Sequence, residues 1–131
     1  MALDPVYAAM VAVGGAAGAC LRASLYVVAA RAFKTSSWVE YPYGTFVANA
    51  LGSLVLGLLT GLALSLHVPS VVRDLVGTGF CGSLTTFSTF SSDSLSLFEK
   101  QRWHQLTVHI GTNLVLGFGA AAVGYYLGKH W

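Results

Sequence analysis

The stretch Gly77 to Ser94 reads GTGFCGSLTTFSTFSSDS. It sits inside an otherwise apolar segment, Val71 to Phe98, long enough to cross a bilayer at about 1.5 Å of rise per residue. Its middle is the wrong material for a plain membrane helix. Three glycines, Gly77, Gly79 and Gly82, and a run of hydroxyl residues fill it. Glycine loses more backbone entropy than other residues, and Ser and Thr side chains compete for backbone partners. The pattern therefore predicts a helix break near residues 82–87. Lipid cannot hydrogen-bond freed N–H and C=O groups, so irregular backbone at membrane depth survives only inside protein or beside an aqueous cavity. A break in a span is in that sense a candidate site. Phe87 and Phe90 lie three apart, so in a resumed helix they share one face, with the polar break just upstream.

The composition places the rest of the chain around that stretch. The 131 residues are 55% hydrophobic and 9% charged, which is outside the range of ordinary soluble proteins and points to a membrane. The reading is one transmembrane domain, 1–131, of an all-α integral membrane protein. A net charge of +2, scattered along the chain, excludes a nucleic-acid surface, which needs clustered Lys and Arg. Cys20 and Cys81 both fall inside spans, as small buried thiols, with no metal-ligand spacing. The first residues carry Asp4 and no basic n-region, so the first apolar run reads as a span that stays rather than as a cleaved signal.

Four spans follow in order. The first, about 6–30, has small residues from Gly14 to Ala19, which let helices approach closely. Arg22 lies within it, either snorkelling to the interface or tied to a group in another helix. A polar connection, Arg31 to Pro42, ends with Trp38, Tyr41 and Tyr43 gathered as aromatic residues gather at headgroup level. The second span, about 44–66, carries Asn49 and glycines four apart at Gly57 and Gly61. Asn49 reads in two ways: as an interhelical tie, or as an amide donor turned to a pore. The third span, about 71–98, is the broken one, with Asp93 beyond Phe90 either paired with a base or facing water. The fourth, about 105–127, carries Gln105, His109, Thr112 and Asn113 at spacings of four and three, a polar line along one face. Such a line belongs in the bundle interior or beside a water-filled path, although a histidine there can equally be a packing residue.

Four spans put both termini on one side. Arg73 and Lys129 flank that side, and Arg31, Lys34, Lys100 and Arg102 the other. The bias favours cytoplasmic first and third loops, but it is small enough that the chain could insert both ways.

The runs Gly79–Phe90 (GFCGSLTTFSTF), Gly44–Asn49 (GTFVAN) and Gly18–Arg22 (GACLR) resemble the Fluc fluoride channels, also called CrcB proteins. The resemblance covers the whole chain, from the four spans to the order of the motifs. It implies an antiparallel, dual-topology homodimer in the plasma membrane, with two fluoride paths and a structural sodium ion held at the dimer centre by backbone carbonyls. Carried over by position, Gly82 and Thr85 would hold the sodium. Phe87 and Phe90 would line the paths, Asn49 would donate to the ion, and Arg22 matches the first-span arginine. Ser83 stands where many relatives have a second glycine. The fourth-span track falls on Thr112 or Asn113, with His109 one turn before.

The chemistry of the residues agrees. Fluoride is small and strongly hydrated, so a selective path has to replace its water with donors. Asn49, Thr86, Ser88, Thr89, Thr112 and Asn113 supply such donors without fixed positive charge. Phenyl edges carry the positive part of the ring quadrupole, so Phe87 and Phe90 can contact an anion, though spacing alone would make them core residues. The main rival is a small dual-topology proton-coupled exporter, which needs a mid-membrane acid; Asp93 is its only candidate. A membrane enzyme lacks a base placed to activate the serines. A purely structural subunit leaves the break unexplained.

Overall fold

The computed structural model describes residues 4–34 and 41–131, and among these every regular element is helical. Trp38 and the rest of 35–40, the middle of the first polar connection, lie outside the described residues. Helix α1 (Pro5–Ala32) begins where Asp4 accepts the Val6 N–H at 2.9 Å and Pro5 occupies the first helical position, where its missing N–H leaves nothing unsatisfied. Helix α2 spans Tyr43–Ser65.

The region read as the third span is a composite. One short turn, α3 (Ser70–Val72), leads into a nine-residue π-wound segment, Arg73–Cys81, and then α4 (Gly82–Leu84). After two extended residues, α5 (Phe87–Glu99) resumes, and α6 (Trp103–Lys129) closes the chain. Only α1, α2 and α6 are by themselves long and apolar enough to cross a membrane among the described residues.

Glycine decides how these helices meet. A Cβ added at Gly57 of α2 would strike the Ala121 carbonyl oxygen, and one at Gly61 the Tyr125 carbonyl oxygen; from the α6 side, Gly124 faces the Leu54 carbonyl and Gly128 the Leu58 carbonyl. The two backbones touch where side chains would hold them apart, as small residues permit in lipid, where dispersion replaces the hydrophobic drive. The same device joins α1 to the π-wound segment. An added Cβ at Gly14 would meet the Leu75 carbonyl oxygen, and one at Gly18 the Phe80 carbonyl oxygen. The wider winding is thus packed backbone to backbone against α1.

The interruption itself falls on two threonines. Thr85 (φ −78°, ψ 153°) and Thr86 (φ −151°, ψ 121°) are both extended. The glycines that drew attention to this region do not break the chain: Gly77 and Gly79 lie in the π-wound turns and Gly82 opens α4.

Candidate functional site

Asn49 holds the break. Its Oδ1 accepts the Thr86 N–H at 2.8 Å, while its Nδ2 donates to the Thr86 carbonyl at 3.4 Å and to Asn113 Oδ1 at 3.2 Å. One amide therefore bonds both main-chain groups of Thr86, the N–H of the peptide before it and the carbonyl of the peptide after it, and takes the N–H that the interruption has released. Downstream, the Thr86 hydroxyl accepts the Thr89 N–H at 3.2 Å and so caps α5; the two hydroxyls also share a hydrogen bond of 3.1 Å. Upstream, the Thr85 hydroxyl donates to the Cys81 carbonyl at 3.0 Å.

A cavity of about 410 Å³ opens over this arrangement, walled on its polar side by Asn49, Thr85, Thr86 and Asn113 and on its apolar side by Phe87 and Phe90 among others. The two rings tilt against each other with centroids 5.8 Å apart. A smaller cavity of about 250 Å³ lies toward the start of α2, bordered by Tyr26, Tyr41, Thr45, Thr89 and Asp93. In its wall Thr45 donates to Asp93 Oδ2 at 2.6 Å. Asp93 therefore has a partner in α2, the Thr45 hydroxyl, which is neither the base nor the open water that the sequence offered as alternatives for it, and it remains partly exposed.

The polar line of α6 divides its work. Asn113 faces the larger cavity and bonds Asn49. Thr112 turns the other way, donating to the Val108 carbonyl at 2.7 Å and sharing 3.0 Å with the Tyr41 hydroxyl. Tyr41 is buried, and burial pushes its phenol above the usual range while the bond to Thr112 pulls it back. His109 is fully buried, with Phe90 stacked on its ring at 5.2 Å and Tyr41 edge-on at 5.9 Å. Its Nδ1 lies 3.2 Å from Asn113 Nδ2, and its Nε2 has no hydrogen-bond partner.

The candidates read from sequence therefore separate. Asn49, Thr86, Phe87, Phe90 and Asn113 converge on one cavity, with Thr89 bonded to Thr86 from the neighbouring one. Ser88 is exposed on α5 and touches neither cavity, and Arg22 is half-exposed on α1, with no hydrogen bond or ion pair among the described residues. The picture of two buried thiols needs correcting, since Cys81 is buried but Cys20 is exposed on α1. Span membership alone does not say which side of a helix faces lipid. Thr45 and Tyr41 are not among the site residues that the sequence suggests, although Thr45 falls in the Gly44–Asn49 run and Tyr41 in the aromatic cluster before it.

Gly82 and Thr85 can be tested as cation ligands on this geometry. The Thr86 N–H that would serve the Gly82 carbonyl in a continuous α-helix goes to Asn49, and the Thr89 N–H that would serve the Thr85 carbonyl goes to the Thr86 hydroxyl. Both carbonyls have lost their helical donors. They fit a hard cation that takes oxygen ligands.

Apolar helices of bilayer length, gathered around an interrupted helix and a cavity of amides, hydroxyls and aromatic rings, define a multi-pass membrane protein. A family profile described as "CrcB-like protein, Camphor Resistance (CrcB)" matches residues 9–125, and the chain belongs to that family. Among similar proteins, the Fluoride-specific ion channel FluC 1 of Thermobifida fusca (strain YX) is 42% identical over 117 residues, which cover 89% of this chain and 91% of the relative. The Fluoride-specific ion channel FluC of Maridesulfovibrio salexigens is 40% identical over 120 residues, with 91% and 92% covered. That of Pseudoalteromonas translucida (strain TAC 125) is 39% identical over 123 residues, with 90% and 96% covered. The family is one of ion channels, not enzymes.

Proposed function

We propose that this chain forms a passive fluoride channel that lets the ion leave the cell across the plasma membrane, working as an antiparallel pair of identical, dual-topology subunits. The observation that carries the reading is the Asn49 clasp on the Thr86 peptide, set in the wall of a cavity that also shows Asn113, Phe87 and Phe90. In this reading the composite region from α3 to α5 is a fourth, interrupted crossing.

The chemistry of the wall suits a small, strongly hydrated anion. Amide and hydroxyl donors replace water one contact at a time, and their partial charges release the ion as readily as they accept it. Ring edges of Phe87 and Phe90 add weak positive potential while excluding larger ions. No lysine or arginine borders either of these cavities, so nothing there would trap the anion. Along the path we place Asn49, Phe87, Phe90, Thr86, Thr89, His109 and Asn113, with Arg22 in a structural role; Ser88, which borders neither cavity, and Thr112, which turns to Tyr41, are left off it.

Pairing is supported by the face that the single chain leaves bare. Phe87 is 79% exposed although it borders the cavity, and Phe118 on the same cavity is 75% exposed. A second copy would close that wall. Sodium bound to the Gly82 and Thr85 carbonyls of both copies would supply fixed positive charge between the two breaks and hold them together.

Fluoride efflux from liposomes containing only this protein, read with an ion-selective electrode, tests the proposal. Efflux driven by the fluoride gradient, far above that from empty vesicles, is expected, and its absence would refute channel activity. The rival exporter draws its only support from Asp93 at the smaller cavity. Efflux that stops whenever the proton gradient is removed would favour that rival.

A further inference from the structure

The interruption between α4 and α5 is held from both sides. Downstream, Asn49 of α2 takes the Thr86 N–H. Upstream, the tie goes to α1: the Ser83 hydroxyl donates to the Gly15 carbonyl at 2.7 Å, with the Phe80 carbonyl further off at 3.4 Å. A hydroxyl carries one hydrogen, so the shorter contact sets its direction. Serine and threonine inside helices often turn that hydrogen back onto the preceding turn, and Ser24, Thr60, Thr85 and Ser94 each donate to the carbonyl four residues before. Ser83 directs its hydrogen across to another helix instead. A Cβ at Gly18 would strike the Ser83 hydroxyl, so the bare backbone of α1 makes the room in which that oxygen sits.

Each tie governs one of the two carbonyls that have lost their helical donors. The peptide unit is planar, with its carbonyl and N–H opposed, so the Thr86 N–H held by Asn49 aims the Thr85 carbonyl away from that amide. The Gly82 carbonyl belongs to the peptide that joins Gly82 to Ser83. Packing at Gly82 does not hold it: the residue is exposed, and an added Cβ there would meet nothing within 4 Å. The adjacent side chain, anchored to α1, is that of Ser83. We propose that Ser83 is a positioning residue for a cation site at the break, fixing the Gly82 peptide to α1 as Asn49 fixes the Thr85 peptide to α2. The inference rests on the proposal that sodium takes these two carbonyls, and it names the residue that prepares one of them. Ligands fixed beforehand lose less freedom on binding, so the tie raises cation affinity without touching the ion.

Thermal unfolding of the purified protein in detergent, followed as sodium chloride replaces potassium chloride at constant ionic strength, tests it. A ligand that binds only the folded protein raises Tm with a concentration dependence set by its Kd, and the native protein should melt higher as sodium rises. The sodium Kd drawn from that curve should increase about two- to tenfold in Ser83→Ala, the scale of one neutral hydrogen bond. It should stay at the native value in Ser24→Ala, which removes an exposed hydroxyl of α1. A tie that served only the fold would lower Tm equally at every sodium concentration and leave Kd unchanged, and that result would overturn the inference. Ser83→Gly gives the same readout should the Ala variant not fold; failure of both to fold would make Ser83 a residue of the fold alone and overturn the inference too. A native protein whose Tm is indifferent to sodium would instead remove the cation reading itself, and the inference with it, whatever the fluoride assay shows.

Discussion

Asn49 uses one side chain for what a helix normally does with backbone. Two of its amide contacts go to the Thr86 N–H and carbonyl and the third to Asn113, so the residue is both a structural clasp and part of the cavity wall. Asn49→Asp keeps an acceptor for the Thr86 N–H but turns the Asn113 contact into oxygen against oxygen and sets a carboxylate beside the anion. Efflux is expected to fall by about tenfold or more, the scale of losing a hydrogen bond to a charged group. Unchanged efflux would take Asn49 off the path. Phe87→Ile and Phe90→Ile should each slow efflux while size-exclusion profiles keep the dimer; dissolution of the dimer would assign the rings to packing instead. At this scale the sequence was a fair guide to which residues matter and a poor one to what they touch. Asn49 stood out as a lone amide in an apolar span, and of its two readings the structure shows the interhelical tie, to Thr86 and Asn113, while donation to an ion belongs to the proposal. The Thr45–Asp93 bond was not legible, because its partners lie 48 residues apart and neither belongs to a periodic pattern.

Between elements, the contact of α2 with α6 is made by glycines on both helices, each seated against a carbonyl of the other. A larger residue there has no rotamer that escapes, since the obstruction is backbone. Gly57→Leu or Gly124→Leu is expected to destabilise the fold by about 3 kcal/mol or more, at the upper end for overpacking, and to appear as loss of monodisperse protein in detergent. Gly119→Ala, where an added Cβ meets nothing within 4 Å, should leave that yield unchanged. The glycine spacing was visible in the sequence because a repeat of four marks one helix face. Which helices would meet was not, since spacing carries no information about the partner. The π-winding of Arg73–Cys81 was invisible for a related reason: it depends on carbonyls packed against Gly14 and Gly18 of α1, not on any local propensity. The break was anticipated from residues 82–87 as a group, and the threonines rather than the glycines carry it, with Thr86 finding a side-chain partner for its main chain in Asn49 of α2.

For the molecule as a whole, the proposed antiparallel pair depends on a chain that inserts in either direction. Arg73 and Lys129 near one set of helix ends stand against Arg31, Lys34, Lys100 and Arg102 near the other, a bias weak enough to permit both. Adding two lysines after Trp131 should shift reporter fusions at the C-terminus toward a cytoplasmic location and reduce efflux. Co-expression with a variant biased the opposite way should restore it. Efflux that persists from a population inserted one way only would rule out the antiparallel assembly. The all-helical membrane class was legible at this scale because bilayer thickness imposes lengths that any reader can count, although only α1, α2 and α6 reach that length by themselves among the described residues.

The nine π-wound residues also act as a rotational offset. Each α-helical residue advances the chain by about 100°, and a stretch hydrogen-bonded five residues apart turns more slowly than that, so the winding of Arg73–Cys81 fixes the azimuth of everything that follows. A change in the number of residues in it would turn Thr86 about the axis relative to Asn49. The length of that segment therefore sets the position of the cavity wall beside Asn49, even though none of its own side chains borders that cavity.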